Sequence, residues 1–200
     1  MLSTGIVDKP LNFTIAIWFK IEEYTGIDVD DYQTIFAFQD SVRCYITSKT
    51  RIMCDSASRA VLEVNSPEIA VNQWINMVLS MRDDGFASLV LHTNEKFLGE
   101  DTMINFPFTQ RVSRRWAGCF GSCLDNKGFK GGLREVMMLQ KYIDHDLGDI
   151  VGHQVFVYDN SFKSYFRFGK DLERFNKDYF VDRTWLKFTG LKEGEPLSSV

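Results

Sequence analysis

Three arginines and a tryptophan lie close together in the segment TQRVSRRW, which spans residues 109 to 116. The arginines are Arg111, Arg114 and Arg115, and Trp116 follows them directly. Each guanidinium group can meet a sulfate, phosphate or carboxylate through two parallel hydrogen bonds. The segment has no clear apolar period, so we predict a loop that binds an anionic ligand, since loops often carry function. The alternative is a solvated loop in which Trp116 closes one end of the fold.

A second set of candidate ligands lies in the acidic stretch DVDD. Its carboxylates, Asp28, Asp30 and Asp31, are the hard oxygen ligands that calcium prefers. Calcium is therefore the one cofactor that the sequence suggests, and otherwise we expect none. The alternative that we favour is a group of solvated loop acids.

Two further pairs have spacing that suits a metal but lack enough partners. Asp149 and His153 are four residues apart, and Cys119 and Cys123 have C-x3-C spacing. A structural zinc site takes four ligands, and no second pair lies near either one in the sequence. We therefore predict no metal at either pair. For Asp149 a simpler interpretation exists, because a carboxylate near a helix start is an ordinary capping group.

Cys44 and Cys54 lie symmetrically about the turn-like sequence TSKT, which predicts that they face each other across a hairpin. Directly opposite residues in such a pair come near disulfide distance. Four cysteines in 200 residues are too few for a disulfide framework, and the amino terminus lacks the pattern of a secretory signal. We therefore favour two reduced thiols, with the disulfide as the open alternative.

Nucleic acid is an unfavoured partner. The tail from Asp159 to Phe188 interleaves basic and aromatic residues, a composition that suits single-stranded nucleic acid. Its carboxylates nearly cancel that charge, however, and the whole chain has a formal net charge of -4. Runs such as YFRF are explained more simply as strands with one buried face.

The elements that must position these residues are nearly all strands. Alternating apolar residues predict strands in FTIAIWFK, YQTIFAF, the cysteine hairpin, AVLEV, WINMVLSM, ASLVLH and FKGGLREVMML, and later in QVFVY, SYFRF and TWLKF. Asp84-Gly85 predicts a tight hairpin turn, and HTNEK a second one. One short helix is predicted in IDHDLGDIVGH, ending near Gly152. No run is long and apolar enough to predict a transmembrane segment.

Four of these segments, in this order, resemble the laminin G-like and pentraxin-like branch of the concanavalin A-like lectin/glucanase superfamily. They are FTIAIWFKIEE, YQTIFAF, NQWINMVLSMRDDGFASLVLHTNEKFLGE and FKGGLREVMML. The resemblance spans residues 10–145. It implies an all-β protein, an antiparallel β-sandwich of the jelly-roll, concanavalin A-like type. We expect one laminin G-like domain over residues 1–200, with strands from 153–190 packing on its core.

The superfamily includes glycoside hydrolases, so an enzyme must be considered. The related glucanases carry E-x-D-x-x-E, which places their carboxylates on one strand, and this chain has no such run. Glu22 and Glu23 are adjacent and point to opposite faces of a strand, and Glu135 stands alone on its own. No serine elbow, HExxH motif or P-loop is present either. We predict that the protein is not an enzyme.

The resemblance implies a binding module that recognises a glycan or a protein partner through rim loops, since laminin G-like domains use basic loops for sulfated glycans. The alternative is a structural or accessory subunit of a large assembly, which the aromatic-rich tail favours. The compartment follows the function. A piece of a longer secreted chain would be extracellular or at the cell surface, and an assembly subunit would be intracellular.

Overall fold

The computed structural model describes residues 2–4, 12–24, 32–38, 42–48, 50–56, 60–107, 116–120, 129–139, 141–143 and 162–167. Within these ranges every regular element is a strand, and no helix is present that could cross a membrane. The predicted short helix lies outside them. Of the predicted C-terminal strands, only the part within 162–167 is described.

The described part of the chain contains twelve strands, which form two six-stranded antiparallel sheets. The first sheet has the order β1-β10-β3-β4-β5-β6 and the second β12-β11-β2-β7-β8-β9. The strands are β1 Leu2–Thr4, β2 Phe13–Ile21, β3 Gln33–Phe38, β4 Val42–Ser48, β5 Arg51–Ser56, β6 Val61–Asn65, β7 Trp74–Met81, β8 Ala87–His92, β9 Phe97–Met103, β10 Trp116–Phe120, β11 Gly131–Leu139 and β12 Phe162–Arg167. The predicted all-β sandwich is confirmed.

The core lies between the sheets and follows from alternation along the strands. On β2 the inward residues Ile15, Ile17 and Phe19 have no exposed surface, and on β7 neither do Met77 and Leu79. Successive side chains of a strand point to opposite faces, so this alternation aligns one apolar row per strand with the facing sheet. The alternating apolar residues from which both strands were predicted are thus the ones that face the core.

Turn chemistry sets the register of the β7–β8 hairpin. Gly85 has a φ of 86°, a left-handed conformation that side-chain-bearing residues rarely adopt. The turn pairs Met81 with Ala87 and, further along, Asn76 with His92. The predicted Asp84-Gly85 turn is therefore confirmed, and so is the second turn, where the Thr93 amide donates to the Lys96 carbonyl at 2.7 Å.

Glycine permits the close approach of β11 to β2. A Cβ added at Gly131 would collide with the carbonyl oxygen of Lys20 on the neighbouring strand. Beyond a register irregularity between Leu133 and Val136, Val136 pairs with Ile17 and is fully buried in the core. The segment FKGGLREVMML thus contains a strand, as predicted, and this strand lies between β12 and β2 in the second sheet.

Cys44 and Cys54 form a disulfide across β4 and β5. Their Cα atoms are 4.1 Å apart, close to the value of about 4.5 Å for a non-hydrogen-bonded pair in an antiparallel ladder. Both side chains are fully buried in the core. The predicted hairpin is confirmed, but the preference for reduced thiols was wrong, because direct cross-strand opposition brings the two sulfurs together.

Candidate functional site

Most of the predicted site residues lie outside the described ranges. These are the arginines Arg111, Arg114 and Arg115, and the acidic residues Asp28, Asp30 and Asp31. Trp116 is described as the first residue of β10, where it pairs with Thr4 of β1. Of the other predicted pairs, Cys119 pairs with Ala37 in the ladder, whereas Cys123, Asp149 and His153 also lie outside.

The strands on either side of the arginine-rich segment belong to different sheets. β9 ends at Met103 at the edge of the second sheet, and β10 begins at Trp116 in the first. After β9 the chain passes next to the β7–β8 turn, because the Phe106 amide donates to the Gly85 carbonyl at 2.8 Å. Residues 104–115 therefore connect the two sheets, starting from the rim of the sandwich that contains this turn.

The described part of that rim contains an arginine held between aromatic rings and a carboxylate. The Arg82 guanidinium lies 4.6 Å from the ring centre of Phe86 and 5.5 Å from that of Tyr142. It donates to both carboxylate oxygens of Asp84, at 3.1 and 2.7 Å. We call Arg82, Asp84, Phe86 and Tyr142 the rim cluster. It offers a partly exposed cation and ring edges beside the start of the arginine-rich connection.

Hydrogen bonds favour the ionised form of the Asp84 carboxyl. Its Oδ1 accepts the Phe86 amide at 3.0 Å, and this bond, followed by those from Arg82, lowers the pKa of the Asp84 carboxyl. Hydrogen bonds to the charged form of an acid favour that form. Asp84 is therefore a carboxylate that holds Arg82 in place, and it is a poor proton donor.

A second partly exposed surface lies at the opposite end of β7. The six-membered ring of Trp74 reaches across β2 and lies over Gly132 of β11, where an added Cβ would come within 3.1 Å of it. Lys20 lies between them in the sheet, with its ammonium nitrogen 5.7 Å from the Trp74 ring centre. The same nitrogen is 3.0 Å from a carboxylate oxygen of Glu22. An indole, a cation and a carboxylate thus lie together on this sheet face.

The outward face of the first sheet holds a closed arginine cluster. Arg43 lies 4.7 Å from the Tyr32 ring centre and 4.6 Å from that of Tyr45, and its Nη2 is 2.6 Å from an oxygen of Asp55. Burial, and then the nearby Asp55, raise the pKa of Tyr45. The charge of Arg43 is paired with Asp55, and its guanidinium group contacts two rings of the same cluster. We therefore interpret the cluster as structural.

Among the described residues, no group of three or more His, Cys, Asp or Glu side chains is placed to hold a metal ion. The calcium prediction rests on Asp28, Asp30 and Asp31, so it stays a prediction.

Sequence reasoning did not find the rim cluster. Arg82, Asp84 and Phe86 come from one turn, and the sequence RDDGF shows an arginine two residues before an acid that precedes glycine. That pattern could have suggested the ion pair. Tyr142 joins the cluster only through the fold, since it follows β11 by three residues and lies far away in sequence.

No family model matches the chain, and no curated protein matches it in sequence. Solved structures share its fold. One is a candidate carbohydrate-binding protein from Bacteroides ovatus, with a TM-score of 0.58 and 13% identity over 83% of this chain. This chain covers 48% of that protein, about half of its length.

Two smaller proteins match over most of their own length. The heptameric SAP-like pentraxin of Limulus polyphemus has a TM-score of 0.56 and 16% identity, covering 76% of this chain and 73% of its own. The CBM40 of a Ruminococcus gnavus IT-sialidase, bound to α2,3 sialyllactose, has a TM-score of 0.51 and 13% identity, covering 74% and 84%. At such identities the likeness shows the fold, a jelly-roll sandwich.

Proposed function

We propose that this protein is a non-catalytic binding module of the laminin G-like type, and that it recognises an anionic glycan. Its ligand-binding residues are Arg111, Arg114, Arg115 and Trp116. The observation that carries the proposal is the course of the chain: β9 and β10 lie in different sheets, so the arginine-rich segment belongs to a connection that leaves a sandwich rim. Rim connections on a rigid sandwich are common positions for binding residues.

The fold likeness supports a glycan as the ligand. Two of the structures described above are named for carbohydrate binding, and one of them is bound to an acidic sugar, sialyllactose. A ligand with sulfate or carboxylate groups would suit guanidinium forks, and a sugar ring would suit the face of Trp116.

Three of the described carboxylates are held by arginines, which supports a non-catalytic role. Glycoside hydrolysis needs one carboxylic acid with a raised pKa and a second carboxylate nearby. Asp55, Glu63 and Asp84 are each paired with an arginine, at 2.6, 2.9 and 2.7 Å. The pKa of Asp84 is lowered, which is the opposite of what a general acid requires.

The disulfide supports an extracellular compartment. Disulfides persist in oxidising environments and are rare in the cytosol. The Cys44–Cys54 bond is therefore typical of a secreted chain or of the exposed part of a surface protein. In that compartment the protein would encounter glycans with sulfate or carboxylate groups.

A heparin column tests the proposal. We expect wild-type protein to be retained and to elute earlier as salt rises, because exposed charge contacts are screened within about 8 Å at physiological ionic strength. Replacing Arg114→Ala together with Arg115→Ala should weaken retention and leave the melting temperature unchanged. The matched control removes two other exposed cations, Arg51→Ala with Lys130→Ala, and should elute like wild type. Equal elution of all three proteins would contradict the proposal.

A further inference from the structure

One asparagine in the chain is followed two positions later by a hydroxyl residue. The tripeptide is Asn12-Phe13-Thr14, and none of the other eight asparagines has serine or threonine in that place. The pattern N-x-[ST], with x other than proline, is the acceptor sequence for N-linked glycans in secreted proteins. The Cys44–Cys54 disulfide is typical of the same oxidising compartment, so the two features agree.

The fold places Asn12 at a rim of the sandwich. Asn12 lies directly before β2, and Phe13, the first residue of β2, pairs with Met81, the last residue of β7. The β7–β8 turn follows Met81, so Asn12 lies on the same rim as that turn. Asn12 is partly exposed, whereas the seven residues after it are all buried. A sugar attached to the Asn12 amide would therefore lie at the rim and outside the core.

The other two residues of the acceptor sequence are enclosed by the fold. Phe13 belongs to the core, and Thr14 has no exposed surface. The Thr14 hydroxyl oxygen lies 3.0 Å from Oγ of Ser80, and the hydroxyl donates to the Lys141 carbonyl at 2.6 Å. The acceptor pattern requires a hydroxyl group, so the transferring enzyme must reach it together with the asparagine. In the folded protein this hydroxyl is out of reach.

The groups that enclose Thr14 are made much later than the acceptor sequence itself. Ser80 follows Thr14 by 66 positions, and Lys141 follows it by 127. β2 lies between β7 and β11 in the second sheet, so both of its neighbours come after it in the chain. A chain that is synthesised from its amino terminus therefore exposes the acceptor sequence before these strands can pair with β2.

We propose that Asn12 is an N-glycosylation site, and that it is modified before β2 enters the second sheet. The donor is an oligosaccharide joined through a diphosphate to a lipid carrier. Nδ2 of Asn12 attacks the anomeric carbon of the donor, so that a carbon–nitrogen bond forms and the carbon–oxygen bond to the diphosphate breaks. The nitrogen loses one proton, and the lipid diphosphate leaves with the electron pair. No oxidant or reductant is required.

The attached glycan would share its rim with the start of the connection between the sheets, because the Phe106 amide donates to the Gly85 carbonyl of the same turn. The proposal rests on the extracellular compartment proposed above, and it is independent of which ligand the arginine-rich segment binds. Heparin retention can be measured on protein that carries no glycan. The heparin test and the tests below can therefore fail separately.

Secretory expression of the full chain tests the site. All 200 residues are placed behind a secretion leader in cultured animal cells, and protein from cells and medium is measured by intact mass. We expect wild type to carry added mass that peptide-N-glycosidase removes, leaving aspartate at position 12. Asn12→Gln should carry no added mass. A wild-type chain without added mass, or added mass that persists in Asn12→Gln, would overturn the proposal.

Two substitutions at one position form the matched control. Thr14→Ser keeps the hydroxyl group, so this variant should still be modified. Thr14→Val has nearly the shape of threonine but lacks the hydroxyl, so modification should be lost. Modification of Thr14→Val to the same extent as wild type would contradict an N-linked glycan at Asn12.

The timing is tested with purified oligosaccharyltransferase and its lipid-linked donor. The acceptors are the folded full chain made in bacteria, which carries no glycan, and a tryptic digest of the same protein. The digest frees Asn12 in a peptide that ends at Lys20. We expect the peptide to be modified and the folded protein to remain unmodified. Equal modification of both would overturn the requirement for an unfolded β2, and an unmodified peptide would overturn the site.

Discussion

Trp18 and Trp74 lie on the same face of the second sheet but in different surroundings. Trp18 is 2% exposed, whereas Trp74 lies partly exposed over Gly132 at the end of the face. We expect Trp18→Ala to lower the free energy of unfolding by about 3–5 kcal/mol, because it removes a large buried side chain. Trp74→Ala should cost less, about 1–3 kcal/mol. Denaturant unfolding of both variants measures this, and a larger loss for Trp74 would contradict the burial.

The ionisation of Asp84, an exposed residue, should make the stability of the protein depend on pH. Its pKa is lowered in the folded protein, chiefly by the Phe86 amide and then by Arg82. A lowered folded pKa means that the contribution is present above the carboxyl's unfolded pKa and is lost as pH falls through the folded value. Asp84→Asn should therefore lower the melting temperature at neutral pH.

The difference between Asp84→Asn and wild type should disappear in strong acid, where the wild-type carboxyl is protonated too. Asp83→Asn is the matched control, because it makes the same change one residue earlier in the same turn. Parallel melting curves at several pH values measure the effect. A constant difference between Asp84→Asn and wild type at every pH would exclude the ion pair as its cause.

The strands could be predicted from sequence because their periodicity is local. β2, β7, β8 and β11 each carry an alternating apolar row, and Asp84-Gly85 specifies its own turn. The sheet order could not be derived in this way, since β10 joins β1 to β3 through pairings across more than seventy residues. Such pairings depend on which edges remain free after the hairpins form. Only the family resemblance suggested the overall arrangement.

The candidate site was predicted less well than the strands. Composition singled out the arginines of TQRVSRRW, which lie outside the described residues, so their role stays a prediction. Trp116 begins a strand instead of lying in a loop, and the rim cluster was missed. The burial of Asn76 and Ser80 could not be predicted from the sequence either, because alternation predicts that polar residues face water. The apolar residues Ala16, Trp18, Val78 and Val90 on the same outward face of the second sheet were the signs in the sequence that it is covered. Burial on both faces of a strand is something that a pattern of period two does not predict.

The disulfide should stabilise the pair of strands that it joins. It links Cys44 to Cys54, which are ten positions apart and buried between the sheets. Replacing both cysteines with alanine should lower the free energy of unfolding by about 2–4 kcal/mol, because the unfolded chain regains conformational freedom. Mass spectrometry after treatment with a thiol-alkylating reagent, applied to protein that is unfolded in denaturant but not reduced, should find this pair unmodified, because unfolding gives the reagent access to the two buried positions. Alkylation at both positions would restore the interpretation as reduced thiols.

At the scale of the whole molecule, the binding-module and assembly-subunit hypotheses differ in what the isolated protein does. An assembly subunit should expose apolar surface and associate when it is alone. Among the described residues, the exposed large apolar side chains are Val71, Phe97 and Ile104, at 40%, 53% and 75%. Three such side chains are ordinary for a monomer, since apolar atoms form more than half of most protein surfaces.

We therefore expect the purified protein to be a monomer whose melting temperature does not change with protein concentration. A subunit that folds against a partner or a second copy would melt at higher temperature as concentration rises, because association stabilises the folded state. Phe97→Ser with Ile104→Ser removes the two most exposed of these apolar side chains. It should leave the mass measured by light scattering that of a monomer and should change the free energy of unfolding by no more than about 0.5 kcal/mol. Light scattering and melting curves across a wide concentration range measure both. Self-association of the wild type that this double substitution abolishes would favour the assembly subunit, because the apolar surface would then be an interface.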